Sequence, residues 1–127
     1  MQGPAPSWFS KHIGDGGLLI VSRLPIVYSD YHVFDYPAVH SDYGALKGCL
    51  YAKIDLGPLG GSHLHLFNTH TQASYSELVL EQYVETYVAR YEQLKEVKQA
   101  VKRLVFDRDS TAFDRAKDVV VVAGDFN

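Results

Sequence analysis

At 127 residues the chain has room for one domain at most, and its 46% apolar and 13% aromatic content is that of a folding chain rather than a disordered one. Twelve Lys and Arg against fifteen Asp and Glu leave a formal charge of −3, which excludes a global basic field able to gather nucleic acid or an anionic bilayer. Cys49 is the single cysteine, so there is no internal disulfide and the redox compartment is left open.

Met1 to Ser7 carries Gly3, Pro4 and Pro6 without a basic segment followed by an apolar run, so it does not read as a secretory signal. The longest apolar stretches, Leu18 to Val21 and Val119 to Ala123, fall far short of the roughly 20 residues of a membrane-spanning helix. No transmembrane segment is expected, and a cytoplasmic or peripheral-membrane placement is expected ahead of secretion. Gly17 to Ser22 is a short apolar run that predicts a strand buried on both faces, ended by Arg23-Leu24-Pro25. From Val27 to Asp42 aromatic residues are frequent but no period persists, which predicts an irregular loop holding at most one strand.

Gly48 to Leu56 alternates, Gly57 to Gly61 is turn chemistry, and Ser62 to Thr69 alternates again, predicting a β-hairpin. From about Ser76 to Val105, Val84, Tyr87, Val88, Tyr91, Leu94, Val97, Val101 and Leu104 recur at spacings of three and four, predicting an amphipathic helix with that face inward. Glu92, Glu96, Lys95, Lys98 and Lys102 are expected as solvated charge on its other side. Asp107 to Asp118 reads as a polar linker, and Val119 to Ala123 as a second buried strand ending at Gly124-Asp125-Phe126-Asn127. Strands, a long helix and a further strand predict a layered α/β fold with mixed strand directions.

Two places could carry chemistry. Asp125 and Asn127 leave a hydrophobic strand one residue apart. The carboxylate can orient or deprotonate a water, and the amide can bind a phosphate oxygen or the nucleophile. A plain strand-to-turn junction accounts for Gly, Asp and Asn equally well. His70 follows Asn68 at the end of the hairpin, where open sheets place their sites; it gains a role only by sharing a site with Asp125. His63 and His65 have a spacing that metal ligands also use, but a structural role is the expected one, with no Cys or third His at ligand spacing.

Five blocks, Gly16 to Ile26, Leu46 to Lys53, Phe67 to Ala73, Arg90 with Gln93-Leu94, and Gly124-Asp125-Phe126-Asn127, resemble in order and spacing the neutral sphingomyelinase group of the endonuclease/exonuclease/phosphatase superfamily. The resemblance implies part of a two-layer α/β sandwich of the DNase I-like fold with a mixed sheet. It also implies divalent-metal-dependent hydrolysis, usually with magnesium, of sphingomyelin to ceramide and phosphocholine. Asp125 would help activate the water and contact the metal, Asn127 would bind the nucleophile or phosphate, and His70 would stabilise the phosphorane or the leaving group. Asn68, Asp42 and Lys47 are carried as substrate-binding or switch residues. The last two resemble a conformational switch pair, against a plain reading as a surface acid and base. Arg90 and Gln93 look structural.

The family also has an upstream Asn strand, an upstream Glu as main metal ligand and a downstream Asp-His pair with the general base, none of which this sequence matches. Residues 1–127 are therefore expected to be a single partial domain, matched from about residue 16, and nearly inactive by itself. The implied partner is a phospholipid at a membrane surface, with no nucleic acid expected and the oligomeric state open. A nuclease or inositol-phosphate phosphatase of the same fold, and a non-catalytic remnant or interaction module, stand as alternatives.

Overall fold

The computed structural model describes residues 14–57, 61–75, 79–107 and 113–127. The readings made for Met1 to Ser7, for Pro58 to Gly60 within the turn, for the helix start at 76–78 and for 108–112 in the linker lie outside them. Four strands, β1 (Ile26–Val33), β2 (Gly48–Asp55), β3 (His63–His70) and β4 (Val119–Asp125), form one sheet in the order β1-β2-β3-β4. The first three pair antiparallel and β3 pairs parallel with β4. The change of direction needs a crossover, supplied by helix α1 (Leu80–Val101), which runs on into a π-helical turn at Lys102–Asp107. The mixed α/β sheet and the β2–β3 hairpin are as the alternation predicts.

Strand alternation gives the sheet two apolar faces. Cys49 and Tyr51 of β2 and Phe67 of β3 meet Val97, Leu104 and Val105 from the helical segment, with Val120 of β4 packed on the edge of that cluster. On the opposite face Leu50, Ala52 and Ile54 meet Leu18 and Ile20, with Leu64 and Leu66 alongside. That second cover corrects the expectation for Gly17 to Ser22. The segment lies outside the four strands and buries Leu18 and Ile20 while Leu19 and Val21 are exposed. It is an extended strap with one apolar side, not a strand buried on both.

The one strand allowed for within Val27 to Asp42 is present as β1; its residues are nearly all half-buried, so neither face gives a clean alternation to read. Three other expectations are revised. The helix turns a different face inward over its first part, while Val97, Val101 and Leu104 pack on the sheet as the spacing predicts. Thr86, Ala89, Gln93, Val97 and Ala100 are buried, whereas Val84, Tyr87, Val88, Tyr91 and Leu94 are exposed. Small and polar residues let α1 lie close on the sheet and hydrogen-bond to its loops, so the more apolar stripe is left outside. Glu96 is not solvated charge, for it accepts hydrogen bonds from the Asp35 and Tyr36 amides at 2.7 and 2.8 Å and lies 2.9 Å from His32 Nε2. Finally β4, expected to be buried, is an edge strand among the described residues, with Val119, Val121 and Val122 exposed.

At the sheet's other end the two hairpin histidines are structural. The Tyr51 hydroxyl lies 2.8 Å from His65 Nδ1, and the buried Asp118 carboxylate accepts the His63 and Asp114 amides. His65 Nε2 is 3.6 Å from Asp118, too long for a hydrogen bond. Burial, followed by the nearby Lys53 charge, holds the His65 imidazolium below its ordinary range. For Asp118, burial pushes the carboxyl up but the two amides and the neighbouring histidines outweigh it, so it stays below the ordinary carboxylate value.

Candidate active site

The candidate residues converge on the carboxyl ends of β3 and β4, and the local backbone explains how. Gly124 has φ +131° and sits so close to Thr69 that an added Cβ would fall 1.9 Å from the Thr69 carbonyl oxygen. Only glycine fits there, and the close approach brings the end of β4 against β3. His70 and Asp125 are consequently register partners across the parallel pair, and Asn68 stands two residues back on the same face as His70. Asp125 Oδ1 then accepts the Asn127 amide at 3.0 Å, closing a local turn that holds both site residues together. Asn127 takes φ +55°, a conformation that asparagine tolerates better than most residues.

Thr71, which the sequence reading passed over, is the hub. It is buried. Its amide donates to the Asp125 carbonyl at 3.0 Å, and its hydroxyl donates to the Phe126 carbonyl at 2.8 Å. Its own carbonyl accepts from Asn127 Nδ2 at 3.1 Å and from Lys47 Nζ at 2.7 Å. One residue thus ties together the ends of β3 and β4 and Lys47, which immediately precedes β2. Its only signal in the sequence is its place beside His70.

Lys47 and Asp42 are not a surface acid and base. Lys47 is 4% exposed and Asp42 12%, and their charged atoms are 2.8 Å apart. Asp42 also accepts from the Ala73 amide at 3.0 Å and the Tyr75 hydroxyl at 2.8 Å. Burial pushes its carboxyl up, but the Lys47 ammonium and these two donors outweigh that and keep it below the ordinary carboxylate value. Lys47 Nζ further lies 3.2 Å from His70 Nε2. The pair sits directly against the candidate catalytic histidine.

Arg90 and Gln93 act as the sequence suggested, by holding the loop after β3. Gln93 Oε1 accepts the Gln72 amide at 2.8 Å, Arg90 donates to the Gln72 carbonyl at 3.0 Å, and Gln72 Oε1 accepts the Val39 amide at 2.8 Å. Asn68 donates to the Leu19 carbonyl at 3.2 Å, anchoring the strap to the site face. Cys49 is 1% exposed, and burial pushes its thiol up to about 12, so it is no nucleophile.

With this geometry in place, the chain can be set beside known proteins. It is 32% identical to a sphingomyelinase of Dictyostelium discoideum over 140 aligned positions, covering 98% of this chain and 29% of that protein. It is 31% identical to phospholipase C of Staphylococcus aureus, covering 95% of this chain and 32% of that protein. Nearly the whole chain is thus similar to part of a sphingomyelinase and part of a phospholipase C. Its fold superposes on the crystal structure of S. aureus beta toxin with a TM-score of 0.73 and 30% identity, over 97% of this chain and 38% of the toxin. A variant of that toxin at a TM-score of 0.71 was solved with bound magnesium ions. The described sheet and helix are thus a piece of a sphingomyelinase-type, DNase I-like α/β fold. The chain spans about a third of the length of the curated relatives it matches. No protein-family model matches it.

Proposed function

We propose that this chain carries part of the active site of a phosphoric diester hydrolase that cleaves sphingomyelin to ceramide and phosphocholine. The observation that carries the reading is the convergence of His70, Asp125, Asn127 and the Asp42–Lys47 pair on Thr71 at the carboxyl ends of β3 and β4. Asp125 orients the attacking water through its carboxylate. The Asn127 amide, with one N–H on the Thr71 carbonyl, offers its other N–H and its carbonyl oxygen to the nucleophile or phosphate. His70 donates to a phosphate or leaving-group oxygen as charge gathers there.

The Asp125 carboxylate and the Asn127 amide oxygen are hard oxygen donors. Among the described residues no group of three His, Cys, Asp or Glu gathers round one point, so they supply one carboxylate rather than a cage. That donor set fits magnesium, which is held by one or two carboxylates together with waters and substrate phosphate. Bound there, the cation supplies charge neutralisation at the phosphodiester. The substrate is a phospholipid in a membrane surface; no described helix is long and apolar enough to cross a membrane. The parent domain supplies the remaining metal ligand and the general base, and the 127-residue chain alone is nearly inactive.

The test is an assay of the longest protein encoded at this locus on sphingomyelin vesicles and on plasmid DNA, with and without magnesium. Magnesium-dependent release of phosphocholine that Asp125→Asn and His70→Ala each reduce about 10²-fold or more supports the reading. Cleavage of DNA without lipid hydrolysis, or turnover indifferent to Asp125→Asn, overturns it.

A further inference from the structure

We propose that Lys47 is a positioning residue that fixes the tautomer of His70. An ammonium carries three protons and no lone pair. The Lys47 Nζ neighbours are Asp42 Oδ2 at 2.8 Å, the Thr71 carbonyl at 2.7 Å and His70 Nε2 at 3.2 Å. The first two are acceptors by nature, so the third proton falls to the imidazole. In that contact Nε2 can only accept, and the ring proton must sit on Nδ1. A proton on Nε2 would point N–H at N–H inside a site where Lys47 has almost no access to water.

The ammonium cannot escape the conflict by turning. Asp42 is itself held by the Ala73 amide and the Tyr75 hydroxyl, and the Thr71 carbonyl is fixed by the β3–β4 junction, so all three directions at Nζ are set by the fold. The arrangement therefore decides which ring nitrogen can do chemistry. Nε2 is engaged with Lys47 and takes no proton from water, whereas Nδ1–H is a donor. This tautomer assignment stands on the geometry alone; its use as a donor to a phosphate oxygen rests on the hydrolase reading above. It gives the Asp42–Lys47 pair a stated task and makes His70 an oxyanion donor rather than a base.

The experiment is a long-range ¹H–¹⁵N correlation spectrum of the ¹⁵N-labelled chain at roughly pH 8, above the ordinary histidine range, with His70 assigned by its absence in His70→Gln. The expected pattern is a single neutral tautomer protonated at Nδ1. Lys47→Met shifts His70 toward the Nε2–H form, and Lys47→Arg, which keeps a cationic donor, retains the Nδ1–H form. A wild-type His70 protonated at Nε2, or an even mixture of the two forms, overturns the proposal without recourse to any variant. So does a Lys47→Met protein, folded by its amide dispersion, with an unchanged His70 pattern. In the complete hydrolase Lys47→Met lowers kcat about 10²-fold with KM little changed, and Lys47→Arg restores part of it. If the tautomer is as assigned but no lipid is hydrolysed, the hydrolase reading fails and the tautomer assignment survives.

Discussion

Replacing Asp42 with Asn leaves a buried ammonium without its counter-charge, and the structure sets the size of the effect. Breaking a buried ion pair from one side costs about 3 to 5 kcal/mol. Here Lys47 keeps the Thr71 carbonyl and His70, and the new amide oxygen can still accept from Ala73 or Tyr75. The expected loss is therefore at or just below the lower bound, about 2 to 3 kcal/mol. With an unfolding entropy of roughly 2.1 cal/mol/K per residue, that is a fall in Tm of roughly 8 to 11 °C. Urea denaturation of wild type, Asp42→Asn, Lys47→Met and the double variant separates the pair from its surroundings. Lys47→Met should cost less than Asp42→Asn, because Asp42 keeps two donors. The double variant should resemble Lys47→Met, giving a coupling equal to the Asp42→Asn cost, about 2 to 3 kcal/mol.

The pH dependence of that loss has a sign. Asp42 titrates lower in the folded chain than in the unfolded one. Its contribution is therefore complete at neutral pH and is lost as pH falls through the folded value, below the ordinary carboxylate range of about 4. The gap between wild type and Asp42→Asn should close across that window. A cost under about 0.5 kcal/mol, or a double variant whose loss is the sum of the singles, would refute the buried-pair argument.

Three further outcomes follow from named contacts. Phe67, fully buried and stacked on Tyr51 at 4.6 Å, should cost about 3 to 5 kcal/mol as Phe67→Ala in urea; a loss below about 1.5 kcal/mol would mean the sheet–helix core is not packed as described. Gly124→Ala should displace β4 from Thr69, broadening or shifting the Thr69, Thr71 and Asp125 amide resonances; an unperturbed spectrum would contradict the close approach. The folded chain binds fewer protons than the unfolded chain at His65, whose value lies below its ordinary 6.5. Stability should begin to fall as pH drops below that value, and His65→Gln should remove this step while the steps from Asp118 and Asp42 remain at lower pH.

The hairpin, the order of strands and helix, and the strand-end positions of His70, Asp125 and Asn127 were legible because each depends on short-range pattern: alternation, turn residues and a glycine at a strand end. What was not legible depends on partners far away in the chain. Thr71 gives no sign of being a hub, since its bonds reach residues 47, 126 and 127. Lys47 and Asp42 look like an ordinary surface pair until the fold encloses them. Glu96 reads as solvated because its three contacts lie about 60 positions back. The helix misled through its periodicity, because apolar stripes report which face could be buried, while Thr86, Ala89 and Gln93 were selected for close approach and hydrogen bonding.

The same argument makes the exposed valines of β4 testable. The strap that covers the sheet's second face meets Leu50, Ala52 and Ile54 on β2 and reaches Leu64 and Leu66 on β3, but Val119 and Val121, the register partners of those two leucines, remain exposed. A run of four valines on an edge left unpaired among the described residues is a template for pairing with another chain. The curated relatives, about three times this length, have the material to cover such an edge. The isolated chain should therefore self-associate with rising concentration by light scattering, and Val121→Lys on the uncovered face should suppress this while leaving the Val120 side packed and the Tm within a few degrees. If Val121→Lys unfolds the chain instead, that face of β4 is more enclosed than its 37% exposure indicates, and the strap reaches further across the sheet than Leu18 and Ile20 suggest.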